Sequence, residues 1–584
     1  VVGLGFLGIL FSLIGAFDIE THKAAVKQIV VGVLVGLLFG LVMSLVSNGF
    51  VIAVRWFTNL RETQLAAALY LDGLQITLAP LLCLLVAAAL IIVIRRAFGI
   101  TRWHGPADSI HAAHRTDNEL DVRSGLGSTL AAFVSASGGA SVGQYGPLVH
   151  FGATMGSVLR RITGGVLTTD VFIGCGVAGA IAAGFNAPIA GVVFAHEAVL
   201  RHFSMRAIAP IAVASISSSW FSDHLFGLST AFDLSLFDPD MSRLLPSALI
   251  AGPLFGLIAV LFMFATRRSA AFAARSGWSP TRLVFAAATI TGIAGMFVPE
   301  ALGLGTGPLS TMLGGGFDTS FLVTLLVFKV VLTALCIGFG LFGGMFSPAL
   351  FIGAAAGAIG GRLISGIAGV GVASALPICG MAAVASAVIG APVAGVIIIL
   401  ELTMNYEFAL AAMLSVVVSI MVSNLLFGQS FFDRQLLDRG IDVTQGRGHI
   451  EMMETDVAHI VSDDFVKVDA DYTMSKAIKL LASKGMSEGY IVNDQGLFEG
   501  KIALHTALAA PARDKIISIA DTAPLSIKDD ASLQQAIEVA SNFVGESIPV
   551  INRETGQMLG VVSEADLFNL YLSLQSRIAD LERS

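Results

Sequence analysis

Two short stretches carry the residues that could do chemistry. GQYGPLVHFGA runs from Gly143 and GMFSPALFIGA from Gly344, each with a proline (Pro147, Pro348) at the apparent start of an apolar helix. A helix that begins inside an apolar run leaves its first N–H groups unpaired, and these carry partial positive charge. Two such ends aimed at one point would bind a small anion without help from Lys or Arg, and neither motif contains one. Cations fit worse. Apart from Glu197 and Glu401 the core segments offer almost no carboxylates, and hard cations need several oxygen ligands. No metal-ligand cluster and no nucleophile–base pair is legible, so the chain is not expected to be an enzyme. The titratable side chains near the motifs are Tyr145, His150 and His196.

Positioning these groups falls to an unusually apolar chain. It has 584 residues, 55% hydrophobic and 13% charged, with 63 glycines and a mean hydropathy of +0.81. Roughly 25% charged is usual for a soluble domain, so too little polar sequence remains to cover one globule. The net charge of −8 leaves no nucleic-acid footprint. Cys83, Cys175, Cys336 and Cys379 lack CxxC spacing and read as core thiols. Ile29–Ser47, Leu78–Ile94, Leu244–Phe264 and Phe321–Phe339 are candidate membrane spans. Pro147–Leu159, Pro188–Leu200, Pro348–Ile359 and Pro392–Met404 are short helices that each open with proline at the first position. Broken helices at membrane depth require burial in protein or a wet cavity. The chain opens in an apolar run without Met and reads as trimmed, with no signal peptide.

The apolar region repeats itself. The 23 residues from Cys175 align without a gap on those from Cys379 with 10 identities, ending at Glu197 and Glu401. The two GxxxP stretches repeat at nearly the same offset. Matched, Gly/Pro-interrupted segments in two halves point to a transporter built from repeats, with its site between them. From Asp433 the composition turns polar, and two similar α/β segments follow. Basic pairs at Arg95-Arg96, Arg160-Arg161 and Arg267-Arg268 mark candidate cytoplasmic ends.

With these motifs in view, the sequence resembles the CLC family of chloride channels and chloride/proton exchangers. GGMFSPALFIGA (Gly343–Ala354) resembles the family's GGxFxPxLxxGA, GQYGPLVHFGA its G(R/K)EGPxVxxG helix start, and PEALGLGTGP (Pro299–Pro308) a short motif of the second half. The tail resembles a CBS-domain pair. The resemblance implies an all-α polytopic membrane protein with an inverted-topology repeat and a C-terminal α/β CBS pair. The expected division is a transport domain over 1–432 (halves about 29–220 and 244–432), a linker over 433–455, and CBS modules at about 456–510 and 515–584. It also implies a homodimer in the inner membrane, its CBS modules cytoplasmic, with chloride or a similar small anion and the lipid bilayer as partners and no required cofactor.

The departures from the family pattern carry most of the functional reading. Where the family usually has a gating glutamate, this chain has Tyr145, whose phenol cannot cycle its charge at neutral pH but can occlude a pathway. Exchangers of the family carry a proton-accepting glutamate one residue beyond Glu197; here that residue is Ala198. Glu197 itself reads either as a cap at a helix end or as a proton group. The family's serine ligand is replaced by His104 or Trp103, ahead of Pro106, and its terminal tyrosine by Phe432. Anion coordination is then expected from backbone amides near Gly146, Pro147, Met345 and Phe346. In the tail, Ser563 and Asp566 resemble a ribose-binding pair, while Thr506 stands where the first module should have Asp. The tail is thus either a weak adenine-nucleotide site or a nucleotide-free module. The favoured function is a passive anion channel gated at Tyr145. The alternative is a proton-coupled exchanger with a non-standard proton path, and a CBS-regulated divalent-cation transporter is more remote.

Overall fold

The computed structural model describes residues 19–71, 76–115, 118–163, 167–202, 205–227 and 240–583. The first 18 residues, including the apolar opening read as trimmed, lie outside them. The chain forms two compact units that meet at Ile441/Asp442, nine residues beyond the boundary expected at 432/433. Side chains separated by long stretches of sequence draw the extra residues into the first unit. Arg267 makes a two-pronged ion pair with Asp438 at 2.8 and 2.7 Å, Arg439 reaches Asp108 at 2.9 Å, and Arg201 pairs with Asp433.

The first unit is helical. Its first half comprises α1 (Ile19–Leu60), α2 (Ala79–Ala97), α3 (Pro106–His114), α4 (Val122–Gly138), α5 (Tyr145–Thr163), α6 (Thr169–Phe185), α7 (Pro188–Phe194) and α8 (Met205–Phe226). The second half repeats the order: α9 (Met241–Arg275), α10 (Pro280–Phe297), α11 (Thr306–Leu313), α12 (Thr319–Phe339), α13 (Phe346–Ala368), α14 (Val370–Ile389), α15 (Pro392–Thr403) and α16 (Tyr406–Leu426). A short α17 (Phe431–Leu437) follows. A two-stranded ribbon, β1 (Tyr70–Leu71) with β2 (Ile76–Thr77), joins α1 to α2. Among the described residues eight helices are long and apolar enough to cross a membrane, and the protein is an integral membrane protein. α7 and α15 begin at Pro188 and Pro392 as expected. α5 and α13 instead begin two residues before Pro147 and Pro348, because any first-turn position lacks an intrahelical acceptor and tolerates proline.

The repeated glycines are where helices cross most closely. In the first half α5 crosses α6 at Gly152 and Gly176, and a Cβ on Gly152 would lie 2.3 Å from the Gly176 carbonyl oxygen. In the second half Gly353 of α13 meets Gly380 of α14 in the same way, at 2.1 Å. These are matched positions of the two repeated motifs, so each half closes on itself through the same contact. Gly353→Ala is expected to abolish folding, since a methyl group there overlaps backbone rather than a movable side chain. Gly360→Ala on the same helix, whose Cβ meets nothing within 4 Å, should be tolerated. Size-exclusion profiles of the detergent-purified variants check the pair, and a monodisperse Gly353→Ala protein would contradict the argument.

The second unit holds two modules of one plan. After α18 (Gly446–Glu454), the first runs β3 (Lys467–Val468), α19 (Met474–Lys484), β4 (Glu488–Val492), β5 (Phe498–Ala503) and α20 (Leu504–Ala509). The second runs β6 (Ile527–Lys528), α21 (Leu533–Ala540), β7 (Ile548–Ile551), β8 (Met558–Val562) and α22 (Glu564–Arg583). In each, a parallel pair is extended by an antiparallel hairpin. Leu504 opens α20 directly after β5. A polar cluster joins the modules. Lys501 pairs with Glu488 at 2.7 Å, both largely buried, and the Tyr490 hydroxyl donates to the Ser547 carbonyl at 2.8 Å. Burial pushes the Tyr490 phenol above its ordinary pKa.

Candidate functional site

Three helix starts converge where the two halves meet. Gly143 and Gly344, just ahead of α5 and α13, exchange both backbone hydrogen bonds at 2.7 Å, a one-residue antiparallel bridge between the repeats. A Cβ on Gly146 would stand 3.1 Å from Gly344 Cα and 3.4 Å from Pro106 Cγ, so the start of α3 abuts the same point. The first-turn N–H groups of α5 and α13 have no intrahelical acceptor and carry partial positive charge, whereas the α3 start is capped by its own Asp108, which accepts the Gly105 N–H at 2.9 Å.

Aromatic rings close the site. The Tyr145 ring stacks on Phe185 with centroids 3.8 Å apart and meets Phe346 edge-on at 5.4 Å. Phe185 in turn meets Phe346 at 5.2 Å. The Tyr145 hydroxyl donates to the Gly184 carbonyl at 3.3 Å. Gly184 is required, because a Cβ there would strike the Tyr145 ring at 2.6 Å. Beyond the rings lies a cavity of about 950 Å³, bordered by Arg55, Arg61, Gln144, Tyr145, Phe185 and Ser347. α2 starts beside this cavity at Pro80, and past its far end Arg102 pairs with Asp108, which also holds Arg439.

The two carboxylates of the repeat are reciprocal helix caps. Glu197 accepts the N–H groups of Val393 and Ala394 at 2.9 and 2.7 Å, at the start of α15. Glu401 accepts those of Ile189 and Ala190 at 2.9 and 2.8 Å, at the start of α7. Each half thus caps the other half's helix, and two of the repeat's helix starts are already occupied by protein carboxylates. Glu197 sits in a π-helical turn, Ala195–Leu200, that continues α7; Ala198 beside it is buried.

Residues 88–424 match the voltage-gated chloride channel family, and 516–573 match the CBS domain. The chain belongs to the CLC family. Among its relatives is a protein named as ClcB-like from Ralstonia nicotianae, 28% identical over 341 residues, which are 57% of this chain and 79% of that one. Another is the H(+)/Cl(-) exchange transporter ClcA of Vibrio campbellii, 29% identical over 316 residues, 52% of this chain and 66% of that one. The fold is that of a slow cyanobacterial Cl-/H+ antiporter, with TM-score 0.62, 22% identity and 70% and 97% of the two chains covered. A eukaryotic CLC transporter aligns over 93% of this chain and 98% of its own, with TM-score 0.60 and 18% identity.

Set in the CLC frame, the remaining sequence-selected residues separate into two groups. Gly146, Pro147, Met345 and Phe346 gather with Tyr145 at the helix starts. His104 and Phe432 do not border the cavity. His104 stands directly before the α3 N-cap, Gly105, and its N–H donates to Ser128 at 2.9 Å. Phe432 is buried on α17, which packs on α3. Trp103 is turned to the Gly340 carbonyl at 3.2 Å and stacks near Phe342. His150 is fully buried and shares a 2.8 Å hydrogen bond with Ser109, while His196 donates to the His202 carbonyl at 2.9 Å. Sequence reading passed over Phe185, Gln144, Ser347, Arg61 and Lys329. Lys329 had a signal of its own, as the sole charge in the Phe321–Phe339 span. In the CBS pair, Asp566 Oδ2 accepts the Ser563 hydroxyl at 2.6 Å and its N–H at 3.1 Å, which caps α22; Thr506 lies on α20.

Proposed function

We propose that the chain lets a small inorganic anion, chloride or one like it, cross the membrane passively, with the Tyr145 ring as the constriction. The observation that carries this reading is a ring, stacked on Phe185 and edge-on to Phe346, at the point where three helix starts converge. An exchanger must move a proton along with the anion, and the two positions at which the family holds proton-carrying glutamates are Tyr145 and Ala198. Glu197 is engaged at both carboxylate oxygens by α15, which supports a structural part for it. Backbone N–H groups at the α5 and α13 starts supply the anion's contacts, with His104 and Phe432 on the approach from the other side. We take the protein to work as a homodimer in the inner membrane. Its CBS pair binds adenine nucleotide weakly or not at all, because Asp566 is occupied by Ser563 and Thr506 offers no matching carboxylate.

The names of the ClcA relatives favour the second reading, proton-coupled exchange. The two part in a single measurement. In liposomes holding the purified chain, with chloride fixed and a pH gradient imposed, the reversal potential is expected not to move with pH. A shift that follows the gradient would overturn the passive reading in favour of exchange.

A further inference from the structure

The far end of α9 carries a basic surface that the anion pathway does not use. At about 1.5 Å per residue α9 is roughly 50 Å long, against a hydrocarbon core of about 30 Å. It therefore runs on past its apolar stretch, which ends near Phe264, to Arg275. From Met241 to Pro299 the chain has five arginines and no acidic residue. Arg267 is engaged by Asp438, shortly before the chain leaves this unit at Ile441. Arg268, Arg275 and Arg282 are exposed, and among the described residues no carboxylate pairs with them.

One face of α9 changes character at this level. Leu257, Leu261 and Phe264 lead at helical spacing into Arg268, Phe272 and Arg275, all exposed. The lipid-facing stripe thus turns basic without leaving its face. The Arg268 guanidinium lies over the Phe264 ring, 4.7 Å from its centroid, and Phe272 is 62% exposed. Arg268 and Arg275 are about 10 Å apart along the axis, which brackets a headgroup layer about 5–8 Å deep. The turn into α10 carries Trp278, half exposed, an aromatic of the kind that anchors at headgroup level. Ser279 caps α10 by accepting the Arg282 N–H at 3.4 Å. The first turn of α10 has no acidic residue and holds Arg282 at the positive end of the helix dipole, where a cation is unfavourable unless an anion joins it.

We propose that the α9–α10 turn is a docking site for an anionic phospholipid. Its headgroup phosphate sits among Arg268, Arg275 and Arg282, and an acyl chain follows Phe264, Leu261 and Leu257. Charge complementarity selects the anionic headgroup, and an apolar stripe continuous with the arginines selects a lipid over a free phosphate. Guanidinium groups stay charged at any working pH and present a fork that matches phosphate oxygens. An occupying lipid lies beside the Arg267–Asp438 pair, which anchors the chain's exit toward the second unit.

Quenching of Trp278 by brominated lipid in the full chain tests the site. With Trp56, Trp103 and Trp220 replaced by Phe, Trp278 is the remaining indole. At equal mole fraction in mixed liposomes, brominated phosphatidylglycerol is expected to quench it about threefold more than brominated phosphatidylcholine. The preference should shrink with added salt. Arg268→Lys, Arg275→Lys and Arg282→Lys combined should retain it, and Arg268→Gln, Arg275→Gln and Arg282→Gln combined should lose it. Arg243→Gln, at the opposite end of α9, should leave it unchanged. If the tryptophan-depleted chain does not fold, native mass spectrometry of the parent and of the combined glutamine variant reads phosphatidylglycerol retention instead. Equal quenching or retention of the two lipids in the parent, or a preference indifferent to the glutamine substitutions, overturns the site. So does loss of the preference on adding inorganic phosphate at constant ionic strength. The readout is binding, so its failure leaves the transport reading untouched.

Discussion

Tyr145→Ala is expected to raise anion flux by about tenfold or more. To leave the pathway the ring must give up a stacked contact with Phe185, an edge contact with Phe346 and a hydrogen bond to the Gly184 carbonyl. Aromatic pairs are worth roughly 0.5–1.5 kcal/mol each beyond their buried area, and a neutral hydrogen bond about as much again. A closed state favoured by about 1.5–4 kcal/mol holds the open fraction at roughly a tenth or below. Alanine removes the whole set. Tyr145→Phe keeps both ring contacts and should stay within a few-fold of the parent, which separates bulk from the hydroxyl. Chloride efflux from liposomes measures both variants. Flux in Tyr145→Ala equal to that of the parent would mean that the ring does not limit passage.

Glu197→Gln and Glu401→Gln should destabilise the protein to a similar extent, each by about 2–4 kcal/mol. Every cap consists of one carboxylate accepting two backbone N–H groups at a helix start. Hydrogen bonds to a charged group contribute roughly 1.5–3 kcal/mol, and the amide that replaces the carboxylate turns a donor toward a donor. The readout is the apparent melting temperature in detergent at one scan rate, expected to fall by several degrees for both. An unchanged melting temperature for Glu197→Gln together with a newly altered response to a pH gradient would give the residue a proton role instead. The caps also bear on motion. They tie the starts of α7 and α15 across the repeat, and with the Gly143–Gly344 bridge they oppose a rocking of one half against the other. Side-chain movement at Tyr145 needs no such break.

Much of this was legible before any coordinates, for identifiable reasons. Gly152 with Gly176 and Gly353 with Gly380 stand at matched positions because helix crossing at backbone distance excludes a Cβ, a demand that repeats with the fold. Glu197 and Glu401 were readable as equivalents for the same reason. Their partners were not, because each caps a helix of the opposite half and no local pattern encodes that exchange. Phe185 looked like one more apolar residue at a helix end; only the approach of α5 makes it the platform for Tyr145. Arg61 was hidden by the π-helical turn Arg61–Leu65 that ends α1, since helical periodicity does not say where such a turn falls. The starts of α5 and α13 were misplaced by two residues because proline is compatible with any position of a first turn. The domain boundary was set too early since composition changes at Asp433, whereas the ion pairs of Asp433, Asp438 and Arg439 reach back 171 to 331 residues.

The reciprocal caps also set a clock on synthesis. Glu197 waits for Val393, 196 residues downstream, and the Ile189 N–H waits for Glu401, 212 residues downstream. At about 5–20 residues per second, the ribosome needs roughly 10–40 s to deliver the second half. For that interval the first half rests in the bilayer with a carboxylate, a helix start and the Gly143 backbone all unmet. Incompletely assembled chains are exposed to misassembly and proteolysis, so codon changes that slow translation between residues 200 and 400 should lower the yield of mature protein without altering a single amino acid.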